Sequence, residues 1–135
     1  MRSPNIILSR ILFFLYLVAV AFVCFMRPDR LPDVQKDILG IPSDKVAHFL
    51  MFFPFPILTF LSFGKPNKKP WGAVLFAFLN LLAGSAVAAL TEYVQGLLPY
   101  RTKDFSDFKA DFLALVISTL LVFLVDISGI KKRSR

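Results

Sequence analysis

Long apolar runs separated by short polar segments dominate the chain. The first run is 6–26, interrupted by Arg10; the second is 46–63, the third 71–98 and the fourth 108–130. About 20 residues of α-helix cross a bilayer core. The pattern predicts an all-α, polytopic membrane protein, with four transmembrane helices in a compact bundle and a single domain over 1–135. Arg2 and Arg10 ahead of Ala19-Val20-Ala21 resemble a signal peptide, but the apolar run continues through Met26, so a retained first helix is expected. Pro54 and Pro56 predict a kink in the second helix, and Trp71 an interfacial anchor. Between runs, 33–39 suits a short surface helix ended by Gly40, and Ser43 suits a helix cap.

Composition agrees with lipid as the solvent. The 135 residues are 56% hydrophobic, with 16 Phe and only 19% charged residues. The net charge of +7 lies beside apolar runs, which favours topology and anionic headgroups over nucleic acid as its explanation; no nucleic-acid partner is expected. Membrane lipids are the expected partners. The single Cys24 excludes an intrachain disulfide. With four spans, nine Lys/Arg fall on the side of the termini and of the Gly64–Pro70 turn, and seven on the other. That asymmetry places both termini in the cytoplasm.

Polar residues then gather at the opposite face. Asp44 and His48 are four apart; Asp104, Asp107 and Asp111 stand at i, i+3 and i+7; Glu92 and Gln95 are three apart. Each set shares a helix face. Gly84, Ala88, Glu92 and Gln95 continue one stripe, so Glu92 is expected to point into a helix–helix contact. Arg101 has planar donors suited to carboxylates or phosphate. Ionisable groups beside hydrocarbon are expensive and mark function by default. The expected ligand-binding set is therefore Asp44, His48, Glu92, Gln95, Arg101, Asp104, Asp107 and Asp111, with Arg101 on an anion. Four readings are weighed, the last and least favoured a metal site from His48 with two or three carboxylates. One is recognition of a polar or phosphorylated envelope-lipid headgroup or an amphiphilic antibiotic. Another is a hydrolase or transferase on a lipid-linked substrate, with His48, Glu92 and Asp107 as catalytic candidates. The third is a salt-bridge lock in which Arg101 and Lys103 neutralise Glu92 and the aspartates. One histidine among carboxylates is a weak zinc signal, and no metal or cofactor is expected.

Two motifs carry a resemblance. Asp44-Lys45-Val46-Ala47-His48-Phe49 and the segment Glu92-x-x-Gln95, Pro99, Arg101, Asp104, Asp107 resemble the paired motifs of the VanZ-like family, small four-helix membrane proteins related to a teicoplanin-resistance protein. The match runs from about Asp44 to Leu121; Asp111 stands where the family commonly has Asn. The resemblance implies a bacterial inner-membrane protein linked to the cell envelope, and to lower susceptibility to lipoglycopeptides. It brings no established reaction.

Overall fold

The computed structural model describes residues 4–30, 36–64 and 69–135. Five α-helices make up most of it: α1 (Pro4–Phe25), α2 (Ser43–Phe52), α3 (Pro54–Phe63), α4 (Pro70–Leu97) and α5 (Phe105–Arg133). Helices α2 and α3 follow one another through Phe53, whose backbone is also helical. Four stretches are thus long and apolar enough to cross a membrane: Asn5–Phe25, Ser43–Phe63, Pro70–Leu97 and Phe105–Lys132. This is compatible with a multi-pass membrane protein.

The helix bounds differ from the apolar runs at their polar ends. Helix α5 starts at Phe105 rather than 108, because Asp104 is its N-cap: its side chain accepts from Ser106 N at 2.9 Å. Capping of this kind satisfies a backbone donor that has no partner within the helix. Helix α2 starts at Ser43 itself, so Ser43 is not its cap, and no side chain caps it. Instead Ser43 N donates to the carbonyl of Lys36 at 2.9 Å.

The surface helix expected over 33–39 is not formed in its described part; residues 31–35 lie outside the described residues. Asp37–Ile38 (β1) pairs antiparallel with Ile41–Pro42 (β2), Ile38 opposite Ile41. Leu39 and Gly40 between them both have positive φ, 53° and 78°. Such a pair of left-handed residues turns a two-residue hairpin with the twist its strands need, and it forbids a helix there. Leu39 is 99% exposed at the tip.

The core joins every helix. Val20 and Cys24 of α1, Phe52 of α2, Phe55 of α3, Ala88 of α4, and Ala114 and Leu115 of α5 form one buried cluster. The exterior is apolar too, with Phe14, Phe22, Phe78 and Leu124 exposed. A surface of this kind is suited to hydrocarbon. Pro54 and Pro56 lack the N–H groups that would continue the ladder, and donors on other helices approach the same turn. Tyr16 Oη donates to the Met51 carbonyl at 2.5 Å, and Asn80 Nδ2 to the Pro56 carbonyl at 3.1 Å. At the far end of α3, Arg10 Nε donates to the Ser62 carbonyl at 3.1 Å while its guanidinium lies over Phe63. Arg10 therefore ties down a helix terminus.

The stripe anticipated on α4 is buried: Gly84, Ala88, Glu92 and Gln95 all face the interior. A Cβ on Gly84 would come within 2.6 Å of Leu115 Cδ2 and 3.1 Å of Phe55 Cδ1. Leu115 is fully buried, so it cannot swing away freely. Gly84→Val is expected to destabilise the protein by about 1–3 kcal/mol through overpacking. The thermal unfolding midpoint in detergent micelles checks this, and an unchanged midpoint would show that α4 and α5 do not need this close approach.

Candidate functional site

The C-terminal ends of α1 and α4 and the N-terminal ends of α2 and α5 lie at one end of the molecule and bring two polar assemblies together. The first is a set of backbone caps. A helix ends with carbonyls that have no partner within it. At the end of α1, Arg101 donates to the Met26 carbonyl through Nε (3.2 Å) and Nη2 (2.9 Å), and to the Val23 carbonyl through Nη2 (3.0 Å). Gln95 Nε2 donates to the Cys24 carbonyl at 2.9 Å, and Tyr100 Oη to the Phe25 carbonyl at 2.8 Å. Arg27 lies over the Tyr100 ring, 5.4 Å from its centroid. The segment 95–101 thus supplies donors to four consecutive carbonyls, and a cation at this pole also complements the helix dipole. Arg101 and Gln95, expected in the ligand-binding set, are donors to α1 and also line the groove described below.

The second assembly is acidic and joins α2 to α5. Lys45 Nζ donates to Asp44 Oδ2 at 3.0 Å, to Asp104 Oδ2 at 2.8 Å, and to Asp107 Oδ1. One turn further in, His48 Nδ1 meets Asp111 Oδ1 at 2.9 Å, and His48 Nε2 lies 3.5 Å from Asp107 Oδ2. Asp107 therefore stands between Lys45 and His48. Glu92 reaches the same place from α4: His48, Glu92 and Asp107 each offer one ligand atom, all within 4.8 Å of one another. Among the described residues neither Glu92 oxygen has a hydrogen-bond partner, and neither has Asp111 Oδ2. Neither Arg101 nor Lys103 neutralises Glu92; the Lys103 stem packs over Gly96 instead.

Of the eight residues expected at the site, Asp44, His48, Glu92, Asp104, Asp107 and Asp111 converge, while Gln95 and Arg101 face α1. Lys45 is the residue that the sequence reading passed over. Its position three before His48 puts the two on one face of α2, which is the signal that could have found it. Five carboxylates face one ammonium and one imidazole, so the cluster is net acidic whichever form His48 takes. Asp104 precedes α5 and is open to solvent. The Lys45 ammonium, then the Ser106 hydroxyl and N–H, hold its carboxyl well below the ordinary 3.8. A carboxyl lowered on folding stabilises the fold fully above its unfolded pKa, and that contribution is lost as pH falls toward the folded value. The Lys45–Asp104 tie is therefore intact at neutral pH and lost only in strong acid.

A groove of about 390 Å³ opens beside these assemblies, between α1, α2 and α4. Val23, Ala47, Leu50 and Met51 give it apolar walls; Asp44, His48, Gln95 and Arg101 give it a polar end.

Arg101→Gln is expected to cost about 1–3 kcal/mol, because the Val23 and Met26 carbonyls lose their donors. Cys24, 2% exposed and one residue from Val23, should then react faster with a thiol reagent. An unfolding midpoint and a Cys24 labelling rate both equal to wild type would overturn the capping role.

Compared with known proteins, the chain matches no family model, and no curated protein or solved structure matches it.

Proposed function

We propose that this is a VanZ-like integral membrane protein of the bacterial cell envelope whose groove between α1, α2 and α4 recognises an amine-bearing headgroup or amphiphile at the extracytoplasmic face. The observation that carries the reading is the groove itself: apolar walls end on Asp44 and His48, beside an acid-rich cluster. Ligand sites are commonly concave, mostly apolar and closed by a few convergent polar groups. An alkyl or acyl chain suits Val23, Leu50 and Met51, and a cationic head suits Asp44 at 59% side-chain exposure. The sign of the charge decides between headgroups. Arg101 already serves the α1 carbonyls and acids outnumber bases, which weighs against a bare phosphate and for an amine. The motifs shared with VanZ-like proteins, Asp44 to Phe49 and Glu92 to Asp107, support the family and the envelope setting. The Lys/Arg asymmetry supports cytoplasmic termini in the inner membrane.

A salt-bridge lock is the second reading, and the Lys45 contacts to Asp104 and Asp107 favour it. The two separate at Leu50, which lines the groove, is 63% exposed and takes no part in the ion pairs. Leu50→Trp fills the groove. Recognition predicts that retention of an amine-bearing amphiphile, followed by mass spectrometry of the purified protein, falls about tenfold, or 1.4 kcal/mol, at an unchanged unfolding midpoint. Equal retention by wild type and variant, or none by wild type, would leave the lock. Orientation is checked with Thr102→Cys in a Cys24→Ala background: an impermeant thiol reagent should label intact cells from outside, and labelling only from the cytoplasm would reverse the topology.

A further inference from the structure

The inner part of the acidic cluster has a chemistry that the groove does not use. Glu92 is 5% exposed and Asp111 is fully buried. Both oxygens of Glu92 are without a hydrogen-bond partner among the described residues. A buried carboxylate left unpaired is costly, and native structures seldom tolerate it without a compensating group.

The outer part of the cluster shows what such a gathering of acids takes. Asp44, Asp104 and Asp107 also converge within 4.8 Å, and the Lys45 ammonium binds all three. The inner trio of His48, Glu92 and Asp107 has the same spacing; Lys45 reaches it only at Asp107 Oδ1, while Asp107 Oδ2 faces His48. Ligand atoms about 2.0–2.2 Å from one ion stand about 3–4 Å from each other, which agrees with the limit of 4.8 Å. The histidine is also set as a metal ligand usually is. Nδ1 meets Asp111 Oδ1 at 2.9 Å, and Nε2 turns toward Asp107. A ligating histidine almost always gives its other N–H to a carboxylate or carbonyl, which fixes its tautomer and orientation.

We propose that His48 Nε2, Glu92 and Asp107 Oδ2 form a binding site for a divalent transition-metal ion, with Asp111 as the residue that orients His48. Mixed imidazole and carboxylate donors suit Zn²⁺ or Mn²⁺; Mg²⁺ and Ca²⁺ prefer oxygen alone. Sequence reasoning set a metal aside because a single histidine is a weak signal. The expected gathering of Glu92 and His48 is met, and the geometry adds the spacing: one ligand atom each from His48, Glu92 and Asp107 within 4.8 Å. The site does not depend on the groove reading: a chain that retains no amphiphile would still take up the ion.

The test uses the full chain in detergent, stripped with a chelator and then given Zn²⁺ or Mn²⁺ alone. Wild type should bind about one ion per chain by elemental analysis and calorimetry, and the ion should raise its unfolding midpoint. Glu92→Gln keeps the side-chain shape and should lose the binding. Asp111→Asn should weaken it by about 10-fold to 100-fold. Asp37→Asn, in the exposed β1 strand, should bind as wild type does. Leu50→Trp should keep ion uptake while losing amphiphile, so failure of the groove reading and failure of the metal reading give different results. Titration of wild type with Mn²⁺, followed by electron paramagnetic resonance, needs no variant to fold. No uptake by wild type overturns the proposal. So does equal affinity in Glu92→Gln, or as large a loss in Asp37→Asn as in Glu92→Gln.

Discussion

A helix leaves its last carbonyls without partners of its own, and the polar end of this protein is arranged around that requirement. Gln95, Tyr100 and Arg101 serve four consecutive carbonyls of α1. The end of α4 and the start of its loop are thereby fastened to α1 by donors. One consequence reaches the neighbouring cluster. With Arg101 engaged, the cations found to be bonded to the acids of α2 and α5 are Lys45 and His48, and the region keeps an acidic balance.

That balance gives the two halves of the cluster different characters. At the outer rim, one ammonium shared by Asp44, Asp104 and Asp107 ties the beginning of α2 to the beginning of α5. Such a tie holds geometry more than it adds stability, because the acids are partly hydrated and a shared cation is divided among them. One turn deeper, where burial is nearly complete, the pairing is incomplete: His48 is well placed, and Glu92 is not compensated. Deep polar groups of this kind are expected where a protein does something besides hold together. They sit next to a groove whose apolar walls and acidic mouth resemble neither a sealed core nor an ordinary surface.

Much of this was legible in the sequence, and the rest was hidden for physical reasons. Apolar run length located the four long helices, since a bilayer sets a minimum span. Helical periodicity put Gly84, Ala88, Glu92 and Gln95 on one buried stripe, and it put Asp107 and Asp111 on the face that meets His48. Periodicity says which side chains share a face; it does not say what they touch. The partners of Arg101 and Gln95 are carbonyls, which every residue has, so no residue type announces them. Lys45 was overlooked because it stands among balanced charges beside a linker, although its position relative to His48 marked it. The hairpin was missed because Asp37 to Leu39 has no alternation long enough to signal a strand; two left-handed residues, Leu39 and Gly40, decide it. The helix bounds shifted where polar caps extend a helix beyond its apolar stretch, as Asp104 does for α5.

The proline pair between α2 and α3 bears on the mechanics of the polar end. All that this span contributes to the site, Asp44, Lys45 and His48, lies on the ten-residue α2. At Pro54 and Pro56 the helix gives up part of its own ladder, and the carbonyls of Met51, just before the joint, and Pro56, just after it, accept from Tyr16 of α1 and Asn80 of α4. A rod of continuous backbone bonds has a stiffness of its own. Here the stiffness at the joint is borrowed from the neighbouring helices, so the angle at which α2 presents its polar residues is a property of the whole assembly. A repacking of α1 or α4 near that joint would re-aim the site without touching any residue in it.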